Sequence, residues 1–380
     1  MEPTAVDVCI IGGGLTGLAA ACAFRQTGAS VLVIERRTEL GDIHRGDWLR
    51  PSAVALLKKW GASLERHAPI EIRSVEVEIG PRVVASRRFK KEPGLCLPHT
   101  QLEAVLREAA KSAGVELRLG WQLQSLAYGG NQGRVAGVTA VCGVDAGGFM
   151  AKLVIGADGR SSAVREALGL NYRAVDKVNE VIAVEAELSG GGATVPSRIV
   201  YSIGRLGGGV AAPFAHRRMR VVATAALGEA DTLARKTAGV LAQELPARSP
   251  LPMGSSVDPT RIRGYELTNT GHAANYAKRG AVCIGDAVHA APVPSGEGMQ
   301  MALLDVEALV RHVGPALKEG DRAIEKALVR FETERWPENE RRMRRTRKAL
   351  RWLAPLSGAK LLLARSPLAG SFLSSLLSID

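Results

Sequence analysis

The chain has 380 residues, 46% hydrophobic and 23% charged, an ordinary globular balance with length enough for two domains. Its five cysteines (Cys9, Cys22, Cys96, Cys142, Cys283) are scattered with no C-x-x-C pair, which argues against a disulfide scaffold and against a redox-active dithiol. A formal charge of +12 suits nucleic acid, a membrane surface or an anionic substrate, but 4% aromatic content argues against a nucleic-acid reader, which interleaves aromatic with basic residues.

Only Met-Glu-Pro-Thr precedes the first apolar run, so no secretory signal is expected and a cytoplasmic location follows as the default. Val6 to Ile11 reads as a buried strand, Gly12-Gly13-Gly14 as a turn, the segment through Gly17 as a helix, and Val31 to Ile34 as a second strand ending on Glu35. Gly12, Gly14 and Gly17 fill G-x-G-x-x-G: one glycine for the tight turn, one for close approach of backbone to a pyrophosphate, one for helix–strand packing. The helix N-terminus offers free N–H groups to phosphates. Glu35 stands where a carboxylate accepts two ribose hydroxyls.

Pro51 opens a short helix that Gly61 stops. Residues 72–79 and 82–89 read as strands around the turn pair Gly80-Pro81, and Gln101–Ala113 as a helix with Leu102, Val105, Leu106 and Ala109 on one face. Residues 121–145 read as strands broken by glycine turns at 129–133 and 137. Short β-rich runs between glycine clusters, 178–224, follow antiparallel-sheet grammar. A helix is expected over 229–244, loop over 245–260 and a strand over 261–267. Another helix is expected from Gly298 to Val313, and helix again beyond, with Ile324, Ala327, Leu328 and Phe331 as its apolar face.

Three buried-looking strands stop at glycine-rich corners: GGG at 12–14, GADG at 156–159 and GDA at 285–287. In an open α/β sheet such carboxyl ends converge on one crevice. There Asp286 would accept a ribityl hydroxyl, and the helix from Gly298 would aim its N–H groups at a reduced flavin. Gly296 and Gly298 leave room for a flat ring.

With GGGLTG plus Glu35-Arg36, ADGRSSAVR (157–165) and GDAVHAAPVPSGEGMQ (285–300), nearly the whole chain resembles the class A flavoprotein monooxygenases of the para-hydroxybenzoate hydroxylase type, ubiquinone-biosynthesis hydroxylases included. The resemblance implies an α/β fold: a Rossmann-like FAD-binding domain (1–71, 98–170, 272–335), an inserted antiparallel β-sheet substrate domain (72–97, 171–271) and a C-terminal helical segment (336–380). It implies FAD held by Gly12, Gly14, Leu15, Thr16, Gly17, Glu35, Arg36, Arg45, His99, Asp158, Arg165, Asp286, Gly296, Gly298, Met299 and Gln300, with Asp158 and Arg165 in the segment associated with both FAD and NAD(P)H. Gln300 stands where the family usually has Asn, Val293 where it has Pro, and His99 where it has Arg or Gln. His289 is read as a packing and orienting residue rather than a catalytic one.

By the same resemblance NAD(P)H reduces the flavin, and O2 forms a flavin C4a-hydroperoxide that hydroxylates an aromatic or quinone-like small molecule, with no metal. Tyr201, Arg205, Phe214 and His216 lie on or near candidate roof strands and are the substrate candidates; no catalytic base is assigned. Epoxidation of an apolar polyene and flavin binding without turnover are the alternatives. A halogenase is disfavoured, since no W-x-W pair occurs. Seven Arg or Lys and no acid lie between Arg341 and Arg351, beside apolar pieces too short and too broken to span a bilayer. Two readings follow: the apolar pieces pack on the FAD domain as core, or they lie in a membrane interface with the basic run on anionic headgroups, giving salt-sensitive peripheral membrane association through 341–380.

Overall fold

A computed structural model describes residues 4–39, 48–79, 82–129, 133–174, 180–188, 195–204, 207–229, 232, 255–257, 263–265, 270–292 and 296–353. Five parallel strands form its centre, in the spatial order Ala281–Cys283, Asp145–Gly156, Thr4–Ile11, Val31–Glu35, Glu116–Leu119. Val31–Glu35, Ala281–Cys283 and the last four residues of Thr4–Ile11 and of Asp145–Gly156 are continuous buried runs, as expected of strands covered on both faces, while the edge strand Glu116–Leu119 is only partly buried. Val8, Cys9, Ile10, Leu32, Val33, Leu153, Val154 and Val282 are all buried.

Helix α1 (Leu15–Arg25) is rich in small residues, LTGLAAACAFR, which lets it pack closely on the sheet and on its neighbours. α2 spans Pro51–Lys59 with its proline at the first turn, where a missing N–H costs nothing. α3 spans His99–Ser112, α4 Ala163–Ala167, α5 Gly298–Ala316 and α6 Asp321–Leu353. Antiparallel strands Gln122–Gly129 and Arg134–Cys142 extend the sheet from Asp145–Gly156. Gly137, expected to be a turn, instead lies inside Arg134–Cys142 at a register shift. A side chain there would meet the Phe149 carbonyl oxygen at 2.2 Å, so the glycine serves close strand approach.

A second sheet runs in the order Ser255–Val257, Glu180–Leu188, Arg218–Ala225, Gly207–Ala215, Arg198–Gly204, Ser74–Ile79, Arg82–Arg88. The hairpin from 74–88 thus joins strands more than a hundred residues later, through a parallel pairing of Ser74–Ile79 with Arg198–Gly204. Burial alternates along Ser74–Ile79, so Val75, Val77 and Ile79 form a satellite core with Ile199, Ile203 and Trp48. The expected strand at 261–267 appears as Arg263–Tyr265. The turn Gly80-Pro81 and nearly all of the helix expected at 229–244 lie outside the described residues, as does most of the loop at 245–260.

The division drawn at 335/336 falls inside one continuous helix. α6 keeps a single buried face from Ile324, Ala327, Leu328 and Phe331 onward through Arg335, Asn339, Arg342, Met343 and Thr346. Past Phe331 that face is mostly polar, which is why hydrophobic periodicity stops before the packing does.

Candidate functional site

A cleft of about 280 Å³ crosses the carboxyl ends of the parallel strands. Gly12, Gly14, Leu15, Thr16, Glu35, Arg36, His99, Asp158, Asp286, Gly296, Gly298 and Met299 all line it. The glycine turn is dictated by backbone crowding. Gly12 has φ +110°, and a Cβ there would sit 2.4 Å from the Ala157 carbonyl oxygen. Gly17 lies behind the wall, where a Cβ would meet the Gly12 carbonyl oxygen at 1.8 Å. Gly14 caps α1 with no side-chain hydrogen bond, so the first-turn N–H groups stay available at the cleft.

At one end Glu35 Oε2 accepts the Gly13 N–H at 2.6 Å, and Oε1 accepts the Arg37 N–H at 2.8 Å and Arg37 Nε at 3.1 Å. Both terminal nitrogens of Arg37 reach Glu103 at 3.3 Å, and His99 Nε2 lies 3.6 Å from the same carboxylate. Burial pushes the Glu103 carboxyl up, but bonds from His99 and Arg37 more than offset it and hold it below its usual range.

In the middle, Asp158 is committed to its own loop. Its Oδ1 accepts from Ser162 Oγ at 2.5 Å and its Oδ2 from the Val164 N–H at 3.2 Å. Arg160 crosses the cleft instead, donating from Nε to Asp286 Oδ2 at 3.2 Å and from a terminal nitrogen to the Ala291 carbonyl at 3.2 Å. Arg165, expected at the cofactor, is buried outside the lining. Its NH1 donates to the carbonyls of Arg160 (3.0 Å) and Ala287 (2.8 Å), and its guanidinium stacks 4.2 Å over Tyr172. It brackets the two corners together from behind.

At the far end Gly296 has φ +62° and faces Trp48 and Tyr201 across its missing side chain. α5 then begins at Glu297 with no side-chain cap hydrogen bond, so no capping side chain occupies its first-turn N–H groups. Gln300 does not line the cleft; its amide donates to Ser52 Oγ at 2.9 Å. His289 is fully buried against Asp305, in the packing role expected of it. Of the substrate candidates, Tyr201 sits beside Gly296. His216 is exposed at the turn after Gly207–Ala215, away from the cleft; a turn tip, not a roof face, is where that strand ends. Phe214 has its backbone on that strand, while its side chain, with Arg45, Arg205 and Val293, lies outside the described residues.

Sequence reading missed Arg37, Glu103 and Arg160. Glu103 stands four residues after His99, the spacing that stacks two side chains on one helix face, and that signal was available. Arg37 and Arg160 carried none beyond adjacency to motif residues.

The lining fits FAD. Glycines clear the backbone where a pyrophosphate must approach, two helix N-termini open on the cleft, one carboxylate stands at each end, and the Gly296 corner leaves a flat passage. Comparison with known proteins agrees. The family described as FAD binding domain matches residues 5–346. The chain is 28% identical over 356 residues to 6-methylpretetramide 4-monooxygenase of Streptomyces rimosus, covering 89% of this chain and 82% of that protein. It is 28% identical over 350 residues to ubiquinone hydroxylase UbiL of Rhodospirillum rubrum, covering 88% and 78%. The fold is shared with the crystal structure of p-nitrophenol 4-monooxygenase PnpA from Pseudomonas putida, with TM-score 0.79, 19% identity and 98% and 96% coverage. The chain belongs to the FAD-binding domain family of FAD-dependent monooxygenases.

Proposed function

We propose that this protein is a single-component hydroxylase that takes reducing equivalents from NAD(P)H and one oxygen atom from O2, and acts on an aromatic or quinone-like small molecule. The observation that carries the reading is the order of groups along one cleft: Glu35, then Gly12–Thr16, then Asp286, then Gly296–Met299 beside Tyr201 of the second sheet. That order supports a reading with the adenosine end at Glu35 and the redox-active ring at the Gly296 corner, beside the second sheet. Relatives named for 6-methylpretetramide and ubiquinone support the substrate class.

Bound FAD supplies the oxygen-activating chemistry. The chain's own work is binding and exclusion. Glu35 accepts the ribose hydroxyls, α1 and α5 present N–H groups to the anionic parts, and Asp286 accepts from the ribityl chain. Trp48, Tyr201 and the satellite core keep water from the ring end. Burial pushes the Tyr201 hydroxyl up to about 12, so at neutral pH it is a hydrogen-bond donor and not a phenolate.

The exposed basic stripe of α6 supports peripheral attachment at the cytoplasmic face of a membrane, where an apolar quinone-like substrate is encountered. Among the described residues no helix is long and apolar enough to cross a bilayer. The whole reading is tested by purification and turnover. The protein should be yellow and release FAD on denaturation, and a member of a panel of phenols, quinolones and quinones should accelerate its NAD(P)H oxidation. Labelled O2 should place one atom in the product. Label arriving only from water, or a colourless protein that cannot be reconstituted, sinks it.

A further inference from the structure

Arg50 is 4% exposed, at the junction between strand Trp48–Leu49 and α2. One terminal nitrogen donates to Glu297, the residue that opens α5. Its Nε and other terminal nitrogen have no hydrogen-bond partner, and neither has the buried Trp48 Nε1. Glu297 is shared, since its second oxygen accepts from Arg342 of α6 at 3.1 Å. Arg342 is served further by Glu338 at 2.8 Å, whereas Arg50 relies on its part of one carboxylate. The Arg50 guanidinium lies 5.3 Å from the Trp48 ring centroid, a contact that uses the π-face and satisfies no N–H.

Buried donors left without acceptors are costly, the more so on a guanidinium. Here three such N–H-bearing atoms gather within one turn of chain, and Tyr201, kept protonated by burial, adds a hydroxyl beside them. Gly296 connects this group to the cleft. A methyl on Gly296 would lie 3.2 Å from Cε3 of the Trp48 ring, on the edge away from Nε1, and 3.4 Å from the Tyr201 hydroxyl, so the Trp48 ring and that hydroxyl face the ring end of the FAD cleft, with the Arg50 guanidinium over the ring. The aromatic walls ask for a flat ligand, and the donors ask for an acceptor that carries charge.

We propose that Arg50, with the Trp48 ring and the Tyr201 hydroxyl beside it, is the substrate's anion-binding site, and that the substrate is a planar aromatic or quinone-like compound bearing an ionised oxygen. This rests on the hydroxylase reading for its substrate class. Glu297 and Arg342 act on the site through Arg50: their chain fixes the guanidinium from the loop side and ties its position to α6.

The test is calorimetric titration of the FAD-loaded protein with benzoate and with benzamide, a neutral molecule of nearly the same shape. Wild-type protein should bind benzoate at least about tenfold more tightly than benzamide. Arg50→Gln should abolish that preference, Arg50→Lys should retain part of it, and Tyr201→Phe, which keeps a ring and deletes the hydroxyl, should weaken benzoate several-fold. Flavin absorbance of each variant, measured beforehand, shows that the fold and cofactor survive. No saturable benzoate binding in the wild type, equal affinity for the two probes, or an unchanged preference in Arg50→Gln overturns the proposal. These readouts need no turnover, so a protein that binds benzoate through Arg50 yet oxidises no NAD(P)H would refute the hydroxylase reading and leave the anion site standing.

Discussion

Arg335 of α6 donates from Nε to Asp305 of α5 at 2.9 Å, with both side chains buried. The same carboxylate accepts from Asn339 at 2.9 Å, from the Gly285 N–H at 3.2 Å and from His289. One acid therefore fixes the GDA corner of the cleft to the C-terminal helix. Burial pushes the Asp305 carboxyl up, but His289, Arg335 and Asn339 more than offset it and hold it well below the usual carboxylate range.

A depressed folded-state value means the ionised form is favoured by folding. Its stabilisation is full above the unfolded value, roughly 4, and is lost progressively as pH falls from there through the much lower folded-state value. Wild-type stability should therefore begin to drop below about pH 5 and keep falling past about pH 3, and Asp305→Asn should show a shallower drop. Arg335→Ala, which strands the buried acid, should cost about 3–5 kcal/mol. Denaturant unfolding at several pH values checks both. An Asp305→Asn variant as stable as wild type at pH 7 would show that the network contributes nothing.

Glu35 governs the adenosine end. Replacing it with Leu removes charge-assisted bonds of about 1.5–3 kcal/mol each, so FAD affinity should fall at least tenfold. Arg37→Ala should act less strongly on FAD and more on stability, because it takes the Arg37 guanidinium away from the 1% exposed Glu103, which keeps His99 beside it. Ultrafiltration of free flavin and thermal melts separate the two effects. Equal loss of FAD in both variants would contradict the assignment of Glu35 as the ribose acceptor.

How much of this was legible in the residues follows from what each signal encodes. The βαβ unit at 4–35 is written locally, as an apolar run, a glycine turn and an acid, and the structure places every part as read. Convergence of the GGG, GADG and GDA corners on one cleft was legible because parallel strand ends share an edge. The charged contacts were not. Arg165 was expected at the cofactor and brackets two carbonyls instead, since a motif gives a position and not the direction of a side chain. Arg160 and Glu103 owe their roles to residues 126 positions distant and 66 positions distant respectively. The buried face of α6 was invisible past Phe331, where Arg335, Asn339 and Arg342 pack through hydrogen bonds that hydropathy scores as solvent-facing.

Asp286 and Arg160 meet across the cleft, both partly exposed. Asp286→Ala should lower flavin occupancy more than it alters substrate choice, because its partner is the cofactor chain. Arg160→Ala should change occupancy by less than about fivefold, the scale of a solvent-screened pair worth 0–1 kcal/mol. Flavin-to-protein absorbance ratios, with relative kcat/KM over two substrates, read these outcomes. A shifted substrate ratio with full flavin content in Asp286→Ala would move that acid out of the cofactor site.

The C-terminal helix supplies the last prediction. Arg341, Arg344, Arg345 and Lys348 are exposed at helical spacing on α6, while Arg342, Met343 and Thr346 between them are buried. Arg341 and Arg344 are each paired with a glutamate one turn earlier, Glu338 and Glu340, which leaves Arg345 and Lys348 to dominate the outward charge. Each basic side chain near an anionic surface contributes about 1 kcal/mol, and the apolar pieces of 354–380, outside the described residues, would have to add insertion for stable attachment. Deleting 341–380 is the wrong test, because it also removes the Arg342–Glu297 link and the buried Met343. Two variants separate the contributions: Arg345→Glu with Lys348→Glu, and truncation after Leu353. Full-length protein should sediment with phosphatidylserine-containing vesicles at low salt and be released at high salt. The double charge reversal should weaken binding by more than tenfold, since two attractive contacts become repulsive. Full-length protein that stays in the supernatant at low salt would make the stripe a solvated face and remove the support for a lipid-dissolved substrate.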